Sequence, residues 1–206
     1  MIIVADTCSL LMLLRLNPEM LTDPKFKCCT TQEVRDEIFR TARFAKKYPW
    51  RSGFRDKVQA VSMGAVIHAS SYDDAVSAVK AQLEHINPDE GPYNLSPEDR
   101  SVIILAQILP ELPDFAVDDP DEIALSTTDR RLRDFAEIRF EIENIEPLKI
   151  LNFWIDFGIW DYDDQIHGPI LQEWADQEPD PSVAAKRCFR KLTGYTFPSP
   201  RFGRIP

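Results

Sequence analysis

Four acidic residues stand where carboxylate chemistry would need them. Asp6 directly follows the apolar run Ile2 to Ala5, Glu37 lies in TTQEVRDEIF, Asp99 in LSPEDRSVIILA and Asp129 in IALSTTDRRL. If Asp6 and Asp129 follow parallel strands, they share one rim of the sheet, and the first turn of a helix leaving that rim brings Asp99 close. Carboxylates gathered without cysteine or histidine suit a hard, oxygen-preferring cation, Mg²⁺ or Mn²⁺ rather than zinc. Such an ion lowers the pKa of a water and clamps the oxygens of a phosphodiester during in-line displacement. Beside the acids, Ser126 and Thr127 offer hydroxyls for a phosphate oxygen or a bound water, and Arg130, Arg131 and Arg133 offer guanidinium groups for substrate phosphate.

Each of these residues also has an ordinary role open to it. Asp99 can favour a helix N-terminus through the dipole, worth ~0.3–1 kcal/mol. Glu37 can pair with Arg40, and Glu33, one turn earlier on the same face, competes for its role. Asp129 can cap the helix that follows it, and the Ser/Thr run before it can be turn chemistry. Asp6 is hardest to assign this way, because an acid straight after a buried apolar strand must be solvated, capped or paired.

The elements that must position these acids are readable from hydrophobic pattern and punctuation. Ile2 to Ala5 reads as a strand buried on both faces, followed by a helix from about Ser9 to Leu16 that Asn17-Pro18 ends. Phe26 to Thr30 reads as a second strand. TTQEVRDEIFRTARFAKKY reads as one helix, with a Thr cap and apolar Val34, Ile38 and Phe39. Residues 50–94 read as one or two further helices through Val58, Val61 and Val66 and then Ala75, Val76, Val79 and Leu83, closed by the loop INPDEGPYN. The next helix opens with Ser96 as cap, Pro97 in its first turn and carboxylates at Glu98 and Asp99, and Pro110 should end it. After an acidic loop from Glu111 to Glu122, Ile123 to Ser126 is a short strand and Asp129 starts a helix through Leu132, Phe135 and Ala136. Strands alternating with helices imply βαβ units and a parallel sheet, whose functional groups collect beyond the carboxyl ends of the strands.

On its four motifs the sequence resembles the PIN-domain nucleases. Their pattern is an apolar strand ending in Asp, a V-x-x-E-[IL] helix, a helix beginning L-S-x-x-D and a strand ending T-x-D with a leucine after it. Here these are IIVADTCSLL with Asp6, TTQEVRDEIF with Glu37, LSPEDRSVIILA with Asp99 and ALSTTDRRLRDFA with Asp129, in the family's order over about residues 1 to 150. The resemblance implies an α/β chain with a three-layer α/β/α PIN-like fold and a central, mostly parallel sheet, plus a C-terminal extension. Residues 1–150 would form the nuclease domain, and 151–206 an extension packed on it with a basic, Pro-rich tail. The implied activity is Mg²⁺- or Mn²⁺-dependent endonucleolytic cleavage of single-stranded or structured RNA, with Asp6, Glu37, Asp99 and Asp129 as catalytic acids that hold the metal directly or through water. Expected partners are the RNA substrate, an antitoxin or other inhibitor protein that inserts an arginine, and a second copy of the chain in a homodimer. Cys8 departs from the family, which commonly has a small polar residue two positions after the first Asp, and residues 40–94 are longer than in its compact toxin members.

Composition tests that expectation. The 206 residues carry 24 basic and 34 acidic side chains, a net charge of −10, which argues against a protein that grips nucleic acid over its whole face. The basic residues are concentrated instead: Arg35 to Lys57 holds eight of them against three acids, and the end of the chain holds six (Lys186, Arg187, Arg190, Lys191, Arg201, Arg204) with no acid between them. Glu141 to Asp180 has eleven acids against Lys149 alone. Seven scattered glycines form neither G-x-G-x-x-G nor a Walker loop, so ATP and NAD(P) are poor first choices. Cys8, Cys28, Cys29 and Cys188 form no C-x-x-C pair, and His68, His85 and His167 lie too far apart to complete a zinc spacing, which points to a reducing, cytoplasmic setting. The apolar start lacks a basic n-region, and no run is long enough to span a membrane. Trp154, Phe157 and Trp160 have the spacing of one packed helix face and are also candidates to stack on bases. YTFPSPRFGRIP, with three prolines, reads as an extended tail. Two other classes remain: a catalytically inactive PIN scaffold that serves as a protein-interaction module, and a different Asp-centred phosphoryl-transfer fold. The second fits poorly, since Asp6-Thr7-Cys8 lacks the D-x-D of haloacid dehalogenases.

Overall fold

A computed structural model of the chain describes residues 1–59, 66–67, 73–86, 94–112, 122–177 and 181–198. The chain divides into two compact units, Met1–Ile145 and Glu146–Pro206. The first is α/β. Strand β1 (Ile2–Ala5) leads into helix α1 (Thr7–Leu16), and β2 (Cys28–Thr31) leads into α2 (Gln32–Arg40), α3 (Ala42–Lys47), a 3-10 helix (Pro49–Phe54) and α4 (Arg55–Gln59). Then come β3 (Val66–Ile67), α5 (Asp73–Ile86), α6 (Pro97–Ile108), β4 (Ile123–Ser126), α7 (Arg130–Phe140) and β5 (Glu143–Asn144).

Among the described residues the strands form one sheet in the order β3-β2-β1-β4-β5, and every neighbouring pair is parallel. The chain therefore winds outward from β1 to β3, returns across the sheet and winds outward again from β4 to β5. That reversal makes the seam between β1 and β4 the topological switch point, where a parallel sheet opens a crevice at its carboxyl edge. Every residue of β1, β2 and β4 is buried, as expected of β-rich apolar runs covered on both faces. Pairing Ile2 with Ile123 and Ala5 with Ser126 makes β1 and β4 end level.

Several sequence expectations need correction. The second strand starts at Cys28, because Pro24–Phe26 closes a 3-10 turn capped by Asp23 and ended by Lys27 in a left-handed conformation. The helix from Thr31 is interrupted at Thr41, whose extended backbone (φ −81°, ψ 121°) separates α2 from α3. Arg51 supplies a partner for the exposed end of α2, its Nε donating to the Ile38 carbonyl at 2.7 Å. Val66, assigned to a helix by pattern, is the first residue of β3, paired with Thr30. Helix α6 does stop ahead of Pro110, which sits in the 3-10 turn Leu109–Glu111. Strand β5 has no counterpart in the sequence reading. The loop at 87–93 and the acidic segment at 113–121 lie outside the described residues, as do Val61 and the tail from 199.

The second unit contains α8 (Pro147–Asp156), α9 (Asp164–Gln177) and α10 (Val183–Thr193). Its first residue, Glu146, accepts hydrogen bonds from the backbone N–H (2.9 Å) and the hydroxyl of Ser182, and that hydroxyl also caps α10 by accepting from Ala185 N. Glu146, the first residue of this unit, thus precedes α8 and also ties down α10. Trp154, Phe157 and Trp160 do not form one helix face. Trp154 is buried, Phe157 is 71% exposed at the end of α8, and Trp160 lies beyond that helix, packed on His167 at a 4.6 Å ring separation. Phe197 is buried against the rings of Trp174 and Phe189. No helix among the described residues is long and apolar enough to cross a membrane.

Candidate functional site

Asp6 ends β1 and opens α1. Its backbone N–H donates to the Ser126 carbonyl (3.0 Å), which locks it to the end of β4, and its Oδ1 accepts from Ser9 N (2.8 Å) as the cap of α1. The level ends of the strands set Thr127 opposite, and its hydroxyl donates to Asp6 Oδ2 at 2.5 Å. The same hydroxyl accepts from Asp129 N at 2.9 Å. Thr127 is fully buried, so both its bonds serve to fix Asp6 and Asp129 relative to each other.

Glu37 arrives from the neighbouring crossover. Thr31 at the end of β2 caps α2 through Val34 N, and its hydroxyl also meets the Ser101 hydroxyl at 2.6 Å, joining the start of α2 to α6. One turn on, Glu37 Oε2 accepts from the Thr7 hydroxyl at 2.5 Å, next to Asp6 in the chain. Asp99 closes a capping box on α6: Asp99 N donates to Ser96 Oγ, and Ser96 N donates to Asp99 Oδ2. Asp129 caps α7 by accepting from Arg131 N at 2.7 Å, and the Arg131 side chain grips its carboxylate, Nη2 to Oδ2 at 3.0 Å and Nε to Oδ1 at 3.4 Å.

These elements meet in one pocket of about 140 Å³, lined by Asp6, Glu37, Glu98, Asp99 and Asp129 together with Thr7, Arg43 and Arg131. All four acids singled out by sequence are present, and Glu37 rather than Glu33 occupies the α2 position. The carboxylates feel one another. Burial pushes Asp6 up to about 7, with the Asp99 charge adding to it against hydrogen bonds from Thr127 and Ser9. Burial also raises Glu37 and Asp99, helped by Glu98 and Asp99 in the first case and by Asp129 in the second. Asp129 is the exception: burial raises it, but the bonds from Arg131 outweigh that and hold it below the usual range.

No model of a known protein family, no curated protein and no solved structure matches this chain. The site therefore stands on its own chemistry. Carboxylate oxygens dominate its lining, with the Cys8 thiol beside them; four of its acids converge from four elements, and three of these are held above their ordinary pKa by burial and by like charge, a cost that a hard divalent cation would relieve. Among the described residues no three His, Cys, Asp or Glu side chains gather as ligands around one point, and each of the four acids hydrogen-bonds to a protein partner.

The other sequence candidates take different places. Arg130 turns to Asp134 and Arg133 reaches the same carboxylate, both away from the acids, whereas Arg131 lines the pocket. Arg40 pairs with Asp36, not Glu37. Ser126 is fully buried. Cys8 lines the pocket beside Thr7. Thr7, Arg43 and Glu98 were not singled out for the site. Arg43 comes to it only because the break at Thr41 redirects α3, and only Glu98, one residue before Asp99 in the first turn of α6, had a signal in the sequence. A larger cleft of about 530 Å³ opens near the amino ends of β4 and β5, and among the described residues its charged lining is Glu141 and Glu143.

Proposed function

We propose that the chain is a metal-dependent endoribonuclease with a PIN-like, three-layer α/β/α catalytic domain. The observation that carries this reading is the convergence of Asp6, Glu37, Asp99 and Asp129 on one pocket at the switch point between β1 and β4. The strand order supports the layering, since right-handed crossovers place helices of the two winding directions on opposite faces of the sheet. Asp6, Asp99, Asp129 and Glu37 are the residues to hold Mg²⁺ or Mn²⁺. When bound, such an ion activates water for attack and neutralises charge at the phosphate. Thr127 and Thr7 keep two of the carboxylates aimed into the pocket, and Arg43 and Arg131 offer positive charge at an otherwise anionic wall for the phosphates of the substrate.

Choosing RNA over DNA rests on the motif resemblance. So do the proposed toxin role and an inhibitor protein as partner, to which the acidic pocket would present an arginine-binding surface. Labelled single-stranded RNA and single-stranded DNA, each incubated with Mg²⁺, Mn²⁺ or EDTA, test the assignment. Internal cuts in RNA that require the metal are expected. Cutting of DNA alone would overturn the substrate, and absence of both cutting and Mn²⁺ binding would favour an inactive interaction scaffold.

A further inference from the structure

We propose that Arg131 is a built-in counter-ion for Asp129, which releases that carboxylate to a divalent cation and then turns its guanidinium to a substrate phosphate. The inference rests on the reading of the pocket as a cation-dependent nuclease site. Three observations carry it. Arg131 holds both oxygens of Asp129, so the carboxylate cannot offer itself fully to a cation while the grip lasts. The pair is exposed, with 53% of the Arg131 side chain and 34% of the Asp129 side chain accessible, so it contributes little and opens readily. Opening it does not displace the acid: Asp129 Oδ1 still accepts from Arg131 N, and Asp129 N still donates to Thr127. Position is set by backbone bonds and charge by the side chain, and only the side chain has to move.

The guanidinium fork that fits a carboxylate fits a phosphate equally well, so the released group has a use at the mouth of the same pocket. Arg130 is not interchangeable with it, because its Nε faces Asp134 at 3.3 Å.

The test is a Mn²⁺ titration by calorimetry and a KM determination on single-stranded RNA, for the full-length wild type and for Arg131→Gln, Arg131→Lys and Arg130→Gln. Arg131→Gln should bind Mn²⁺ about two- to fivefold more tightly, the range of an exposed ion pair, while KM for RNA rises. Arg131→Lys, which keeps the charge without the fork, should fall between, and Arg130→Gln should match the wild type in Mn²⁺ affinity. Effects of opposite sign on metal and on RNA are what a merely structural residue would not give. Unchanged or weaker Mn²⁺ binding in Arg131→Gln, or equal tightening in Arg130→Gln, overturns the proposal. If the wild type binds no Mn²⁺, the cation-site reading fails and this inference with it. Tightening by Arg131→Gln in a protein that cuts no RNA would support the counter-ion role and reject the nuclease reading.

Discussion

Asp6 is asked to be buried, to cap a helix and to carry a charge. A carboxyl raised from 3.8 to about 7 in the folded protein stays protonated where the unfolded chain has already ionised. The sign follows: its contribution to stability is present below the unfolded value and is lost as pH rises through the folded one, by at most ~4 kcal/mol. Glu37 and Asp99 act in the same direction and Asp129 in the opposite one. In EDTA, the melting temperature of the wild type should therefore fall between about pH 5 and pH 8, while Asp6→Asn shows a flatter profile and melts higher at the alkaline end. Thermal melts of the two proteins across that range check this, and parallel profiles would show that Asp6 is not the titrating group. At this scale Asp6, Asp99 and Asp129 were legible because each follows a strand or opens a helix, and Glu37 because it stands in the V-x-x-E-[IL] pattern of α2. Thr7 and Arg43 were not, since their relation to Glu37 depends on how α1, α2 and α3 meet.

Helix α6 shows how an element aims a residue. Its capping box satisfies orphan N–H groups and at the same time holds Asp99 Oδ2 on Ser96 N, inside the first turn and facing the pocket. Ser96→Ala should cost about 1 kcal/mol by urea unfolding, the usual value of such a cap, and Ser96→Asp should restore most of it. A loss of under about 0.3 kcal/mol would mean that the capping box does not hold the end of α6. The S-P-E-D pattern made this element readable, as the continuous apolar run did for β1 and β4. What the pattern missed has physical reasons too. Thr41 is neither Gly nor Pro, and the break there is stabilised by Arg51, far along the chain, which leaves no local mark. Strands of two residues, β3 and β5, are too short for any periodicity, so Val66 reads equally well as helix.

For the whole molecule, the balance of −10 is compatible with nucleic acid only if binding is local. Among the described residues the cations lining the acidic pocket are Arg43 and Arg131, so about two or three phosphates should be contacted there. KM for single-stranded RNA should accordingly rise about five- to twentyfold between about 50 and 200 mM KCl at fixed Mn²⁺. A slope implying eight or more contacts would point to broad basic surfaces, such as the segment from Arg35 to Lys57, as the main grip. On the proposed reading, one acidic pocket built around Asp6 cuts RNA with a divalent cation. The most direct test is the internal cleavage of labelled RNA by the wild type and by Asp6→Asn in Mn²⁺ and in EDTA. Cleavage is expected from the wild type in Mn²⁺ alone, and cleavage that survives either EDTA or Asp6→Asn would rule out a metal-dependent site at Asp6.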